Sequence, residues 1–431
     1  MTAATTAPHA LVAALSPRAQ RVVLAGMVAF ISLSAFESLA VSTAMPTVAV
    51  ALDGLRWYTV AFSASLAASV VGMLTAGPWA DRRGPTPPMW AGALTFLAGL
   101  LLAGCAPSMG AMLVGRLLQG VGGGLTNVAL YVLVACVFPA QRRARVFATF
   151  AAAWVLPGVV GPLAAGLVVE HLGWRWVFLG VALLAAPGLL LLRPGLAAAR
   201  GAAPAVEGDS NARSTPRVPR DGVARDVAGA VLRARRGLGT TVVVRALASA
   251  AFSGAEVLLP LVLAHERGLA PSAAGSVLTL HVLGWSAGSW LRGRGSRRPV
   301  TYARLGAGLL AAGTVGVALL AVPGVPLLAG AAPWALAGLG MGFLYPTLSM
   351  LALELAPPGG QGTASSALQV ADALAGALAL AVAGQLLWAL HAAVGLAAYA
   401  ACFALAGALA LVGAALAGRT APTPGTAGGA G

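Results

Sequence analysis

Charge is scarce in this chain. Only 9% of its 431 residues are charged, and lysine is absent, so all 27 basic residues are arginine. With 59% hydrophobic residues and a mean hydropathy of +0.86, the chain holds more apolar surface than a soluble fold of this size needs. Cysteine is scarcer still. Cys105, Cys136 and Cys402 lie in separate apolar segments without metal-ligand or redox spacing, and are read as small buried hydrophobes. The five histidines, His265, His281 and His391 among them, are dispersed. No zinc, haem or hydrolase constellation is visible, so no metal, no cofactor and no enzymatic activity are expected. A basic start is also missing from residues 1–17, which argues against a cleaved signal peptide. The lack of lysine beside abundant Ala and Gly fits GC-rich codon usage and carries no mechanism.

What remains is a series of apolar runs long enough to cross about 30 Å of hydrocarbon. They do not alternate in polarity, so they are helices rather than barrel strands. The pattern predicts an all-α integral membrane protein with twelve spans, near 22–46, 57–79, 88–106, 109–137, 145–170, 174–192, 240–264, 272–291, 302–322, 327–355, 363–388 and 391–417. The net charge of +15 is scattered one gap at a time, which fits topology rather than a nucleic-acid partner. Arg82 and Arg83, then Arg142, Arg143 and Arg145, then the polar run from Arg193 to Arg236, then Arg292, Arg294, Arg297 and Arg298 all fall in even-numbered gaps. That side is read as cytoplasmic, with both termini on it. The implied order is a cytoplasmic segment 1–21, a six-helix bundle 22–193, a solvated linker 194–236, a second six-helix bundle 237–418 and a disordered tail 419–431.

The two halves repeat. "SAFES" at 34–38 matches "SGAEV" at 253–257, which aligns Glu37 with Glu256. "GPWADRRG" at 77–84 parallels "GSWLRGRG" at 288–295, and "GVGGGL" at 120–125 parallels "GLGMGF" at 338–343. Three matches in the same order argue for internal duplication and two pseudo-symmetric bundles. The glycine run at 120–124 is no phosphate loop, because it lies within a span and no Lys-Ser/Thr follows it. Close helix packing accounts for it.

Residues 77–84 resemble the motif A loop of the major facilitator superfamily, with Gly77, Asp81, Arg82 and Gly84 matching and Pro85 and Thr86 standing where two basic residues are expected. "RLLQGVGGG" at 116–124 resembles motif B. "PGVVGPLAAG" at 157–166 resembles motif C of antiporters, with a changed start and Ala165-Gly166 at its end. "GWRWVF" at 173–178 and "ESLAVSTAMP" at 37–46 are similar to the drug:proton antiporter families, the latter with Glu for Asp. The resemblance implies two bundles facing each other and a cavity lined by helices 1, 4, 7 and 10. It also implies that Asp81 closes the cytoplasmic side by contacting the positive end of helix 11. For Arg82, topology alone is a sufficient explanation. Gly158, Gly161, Pro162 and Gly166 give a kinked, smooth helix, serving either plain packing or prevention of leak.

Ionisable groups inside a bilayer are costly and mark a polar pathway. Glu37, Glu256 and Asp372 qualify as proton-coupling candidates. At 1.5 Å per residue, Glu37 lies roughly 13 Å from the outer end of its helix, and Glu256 and Arg116 roughly 12 Å from the outer ends of theirs. On the helix arrangement that the resemblance implies, Arg116 can face Glu37, as a fixed structural pair or as part of a site where Glu37 takes a proton from outside and releases it inside. Arg116, Gln119 and Asn127 share a face of helix 4 that would be expensive against lipid. Glu256 has no basic residue at its depth on its own helix. Asp372 shares a face with Ser365 and Gln369 and serves either a buried hydrogen bond or transport. Phe36, Phe252 and Tyr345 are candidate cavity aromatics, with core packing as the alternative.

Together these features predict a monomeric, multi-pass transporter of a bacterial cell membrane. Its expected partners are the lipid bilayer and a small-molecule substrate. The expected activity is export of amphipathic or cationic compounds, such as drugs or antibiotics, in exchange for protons by alternating access. A nutrient or metabolite importer or uniporter is the alternative, and a non-transporting membrane sensor fits less well.

Overall fold

The computed structural model of the chain describes residues 16–201, 233, 235–356 and 361–421. Those residues are helical, with no strand among them. The first unit carries α1 (Pro17–Ala51), α2 (Tyr58–Arg83), α3 (Thr86–Gly104), α4 (Met109–Val137), α5 (Ala140–Ala152), α6 (Val155–His171) and α7 (Arg175–Gly201). The second carries α8 (Leu238–Leu261), α9 (Pro271–Arg294), α10 (Pro299–Gly316), α11 (Leu327–Glu354), α12 (Gln361–Val394) and α13 (Ala397–Leu416). Contacts assign residues 55–66, the start of α2, to the second unit. Ten of these helices are long and apolar enough to span a bilayer. The other two spans are α5 with α6, which are broken from each other, and α9, which carries Ser, His and Arg. The protein is an all-α integral membrane protein of twelve transmembrane helices, six to a unit.

The sequence dictates the main departures from regular helix. The expected fifth span is interrupted at Ala153 and Trp154, because Pro157 has no N–H to offer the carbonyl of Ala153 and its ring crowds that oxygen. The Ser32 hydroxyl of α1 donates to the freed carbonyl at 2.9 Å. In the second unit Pro346 leaves the Gly342 carbonyl free, and the Ser289 hydroxyl approaches it at 3.4 Å. At the N-terminal end, Ser16 caps α1 by accepting from the Ala19 N–H, with Pro17 in the first turn where no N–H is needed.

Three boundaries differ from the sequence expectation. α7 continues to Gly201, so residues 194–201 are helix rather than linker, while 202–232 and 234 lie outside the described residues. α12 runs through His391 to Val394 and stops at Gly395, whose φ of +56° suits glycine. His391 therefore belongs to the eleventh span and does not open the twelfth. Arg419 and Thr420 form a 3₁₀ turn with Ala417 and Gly418, and the Arg419 carbonyl accepts from the Gly237 N–H at 3.0 Å. The expected tail beyond residue 421 and the expected leading segment through residue 15 lie outside the described residues.

Each unit is held by the same packing device. In the first, a Cβ added at Gly124 would run into the backbone of Ser69, and one at Gly122 into the backbone of Phe96. In the second, Gly342 meets the backbone of Trp285 in the same way, and Gly338 that of His281. Small residues thus let neighbouring helix backbones touch, which replaces the hydrophobic drive that lipid cannot supply. Where α1, α3, α4 and α7 meet, Val23, Met27, Phe30, Met89, Leu133 and Leu192 form a buried cluster.

Candidate functional site

In the first unit α1 and α4 bring together the two charges that their depth and the implied helix arrangement had matched. Arg116 donates from one terminal nitrogen to Glu37 Oε1 at 2.7 Å and to Gln119 Oε1 at 2.5 Å. Both charged side chains are 8% exposed. One turn of α4 separates Arg116 from Gln119, so the two are stacked on one face. The amide nitrogen of Gln119 and the hydroxyl of Ser42 are buried without a hydrogen-bond partner among the described residues. Asn127 lies further along α4 and is half-buried. Phe36, adjacent to Glu37 in sequence, points elsewhere. Its ring lies 3.3 Å from where a Gly161 side chain would begin, and it lines a 390 Å³ apolar groove with Phe30, Leu33, Leu184 and Leu191.

The second unit holds two constellations. In the first of these, Arg245 of α8 grips Asp372 of α12 with Nε at 3.0 and 2.9 Å and a terminal nitrogen at 2.8 Å. Its other terminal nitrogen donates to the Ser349 hydroxyl at 3.0 Å and to the Tyr345 carbonyl at 3.3 Å, and its guanidinium lies 3.5 Å from the Tyr345 ring centre. Ser249 donates to the backbone carbonyl of Asp372 at 3.0 Å. The bidentate geometry, the ring face and the buried hydroxyl use nearly every donor that arginine has, which makes this a well-satisfied pair.

The other constellation surrounds Glu256, whose side chain is 22% exposed. His281 of α9 places Nε2 3.8 Å from Glu256 Oε1. The Trp334 indole of α11 donates to His281 Nδ1 at 3.2 Å. Phe252, one turn before Glu256 on α8, stacks on Trp334 with ring centres 5.1 Å apart and meets both His281 and Trp285 edge-on. Trp285 in turn packs against Tyr345 at 5.0 Å. Among the described residues no arginine pairs with Glu256.

The other sequence-derived residues lie apart from these groups. Gly77, Asp81 and Arg82 are on the last two turns of α2, with Asp81 and Arg82 exposed. Gly84 turns the chain into α3 with φ of +75°, a conformation that explains a glycine there. Gly158, Gly161, Pro162 and Gly166 form a buried face of α6.

Residue-by-residue reading of the sequence missed Arg245, His281 and Trp334. Arg245 and Asp372 sit at about 10 and about 16 Å from the starts of helices that share a predicted direction, a gap an arginine side chain bridges. The same depth matching that pairs Arg116 with Glu37 could have found it. Trp334 was legible through the repeat, since matching Gly120 with Gly338 sets Trp334 opposite Arg116.

Two bundles of transmembrane helices, each with a carboxylate at the matching place on its first helix, define an internally duplicated polytopic membrane protein. The profile of the Major Facilitator Superfamily matches residues 22–380, and the chain belongs to that family. The chain is 32% identical over 155 residues to the multidrug transporter protein MdtP of Bacillus subtilis, and 30% identical over 159 residues to multidrug resistance protein 3 of the same organism. Each match takes in 36% of this chain, and the two span 29% and 30% of those relatives' own lengths. It is also 37% identical over 153 residues, 34% of this chain and 28% of the relative, to the MFS efflux transporter aclA of Aspergillus oryzae. Among solved structures, a POT family transporter in complex with 5-aminolevulinic acid superposes with a TM-score of 0.71 at 14% identity, covering 93% of this chain and 95% of that one. A bacterial homologue of the lysosomal transporter Spinster gives 0.69 at 15% identity, covering 94% and 95%. These two likenesses concern the fold.

Proposed function

We propose that the protein exports amphipathic or cationic small molecules in exchange for protons, by alternating access, across the cytoplasmic membrane of a bacterium, with its arginine-rich side and both ends in the cytoplasm. The observation that carries this reading is the setting of Glu256. A carboxylate with no arginine partner among the described residues stands 3.8 Å from His281, which itself packs on Phe252 and Trp334, and an uncompensated carboxylate within the membrane attracts an organic cation by charge. A proton and a cation can each neutralise the same carboxylate, and exclusive occupancy is the simplest basis for exchange. The names of the Bacillus subtilis relatives support the substrate class, and the charge bias of the gaps supports the orientation. Transport needs no metal or organic cofactor on this reading, the proton being the coupling ion.

The test is proton movement in liposomes containing the purified protein, under an imposed pH gradient, on addition of tetraphenylphosphonium. Wild type is expected to move protons when the cation is added and Glu256→Gln is expected not to. A folded wild-type protein that moves no proton with this or other lipophilic cations would sink the exchange reading and favour a narrow-substrate carrier.

A further inference from the structure

We propose that His281 is a positioning residue for Glu256: Trp334 holds Nδ1 of the ring, which turns a neutral Nε2–H toward the carboxylate and leaves it a net negative charge for a cation or proton to cancel. The proposal rests on Glu256 as the exchange point and adds the group that prepares it.

The chemistry follows from one donor. An indole N–H can only donate, so in the 3.2 Å contact Nδ1 of His281 is the acceptor, a role that the backbone carbonyl of Leu278, one turn earlier on α9, opposes by drawing a ring proton. A neutral ring accepting at Nδ1 carries its proton on Nε2, the atom facing Glu256. At 3.8 Å the contact is longer than a direct hydrogen bond, and a small turn of the Glu256 side chain closes it. The scaffold fixes both rings. Gly338, one turn beyond Trp334, lets α11 press on the backbone of His281, and Phe252 stacks on the indole while meeting the imidazole edge-on. His281 is 4% exposed and Trp334 fully buried. The repeat register sharpens the point. Where the first unit sets Arg116 against its acid, the second sets Trp334, which reaches its acid only through His281.

Several titratable groups on the elements around α8 have partners other than Glu256. Asp372 and Tyr345 bind Arg245, His391 and Tyr399 gather with His265 at Glu266, Cys402 faces the carbonyl of Ala383, and Arg292 donates to Thr347. Tyr58 donates to the carbonyl of Val257.

The decisive measurement is nitrogen NMR of histidine-labelled, full-length protein, with the His281 signals identified by their loss in His281→Gln. The expected spectrum has Nδ1 as acceptor and Nε2 protonated, a mixture of tautomers in Trp334→Phe, and a shifted Nε2 signal in Glu256→Gln. A charged ring, or a ring protonated at Nδ1 alone, overturns the proposal whether or not the protein transports anything. The second measurement is tetraphenylphosphonium binding with proton release followed by a pH indicator. Loss of a donor to a charged group should weaken binding about tenfold or more in His281→Phe, and His281→Gln, which keeps an N–H near the Nε2 position, should return to within about threefold of wild type. Equal affinity in His281→Phe and wild type also overturns it. If wild type binds the cation and releases no proton while the expected tautomer is seen, the exchange reading of Glu256 fails and the His281 arrangement stands.

Discussion

Glu37 and Glu256 occupy matching places in the two halves of one repeat, yet their surroundings share almost nothing. Glu37 faces a permanent cation, Arg116, which is also tied to Gln119. Glu256 faces an imidazole across 3.8 Å, and that imidazole packs among aromatic rings. A membrane carboxylate must be compensated in some way, and the two units use the two available routes. A fixed ion pair removes the charge from play. A neutral donor leaves the charge available. Duplication thus kept the backbone packing, seen in Gly124 and Gly342, while the side chains at the acid diverged, one acid held by an arginine and the other, on our proposal, left as the exchange point.

The sharpest way to break this contrast is to remove each acid's charge and measure stability. Glu37→Gln strands Arg116 in a buried site, and removing one partner of a buried pair typically costs about 3–5 kcal/mol. Glu256→Gln strands no cation and should cost about 1 kcal/mol or less, since only one modest polar contact changes. Thermal unfolding of the purified protein, followed by tryptophan fluorescence, reads both. Similar losses in the two variants would mean that Glu256 has a structural partner after all. The double variant Glu37→Gln with Arg116→Met should recover most of the loss if the first pair is purely structural.

A smaller effect is expected where the units agree. Gly124→Ala and Gly342→Ala each push a Cβ into the backbone of a neighbouring helix, and overpacking of this kind costs about 1–3 kcal/mol. The two losses should be alike. A loss confined to one unit would show that the repeat no longer carries the same packing in both.

Much of this was legible in the sequence, and the rest was hidden for identifiable reasons. Span positions followed from apolar length, because lipid enforces a minimum run on any helix that crosses it. The Arg116–Glu37 contact followed from equal depth on two helices with a known sense. Arg245 was overlooked because seven residues from a helix start looks like a topogenic charge, and only the matching depth of Asp372 marks it as buried. His281 could not be found by counting residues between motifs, because an imidazole is ordinary in a span until packing sets it beside an acid, whereas Trp334 was marked only by its repeat register opposite Arg116. The break at Ala153 was readable from Pro157, yet a proline also survives within α1, α2, α8 and α11, so its presence alone does not decide whether a helix stops or bends.

The finest comparison concerns those prolines. Pro157 frees the carbonyl of Ala153 and Pro346 that of Gly342, and in each unit a serine on a neighbouring helix answers, Ser32 at 2.9 Å and Ser289 at 3.4 Å. In hydrocarbon an unsatisfied carbonyl has no water to turn to, so these hydroxyls matter more than their size suggests. Ser32→Ala should destabilise the protein by about 1 kcal/mol, the usual net worth of one buried hydrogen bond. Ser289→Ala should cost less, because its contact is at the long limit of hydrogen bonding and already gives little. The same fluorescence melts resolve the order. A larger loss in Ser289→Ala would mean that the second unit depends on its serine more than the distances indicate, and that the proline in α11 is a point of stress near the ring cluster around Trp285 and Tyr345.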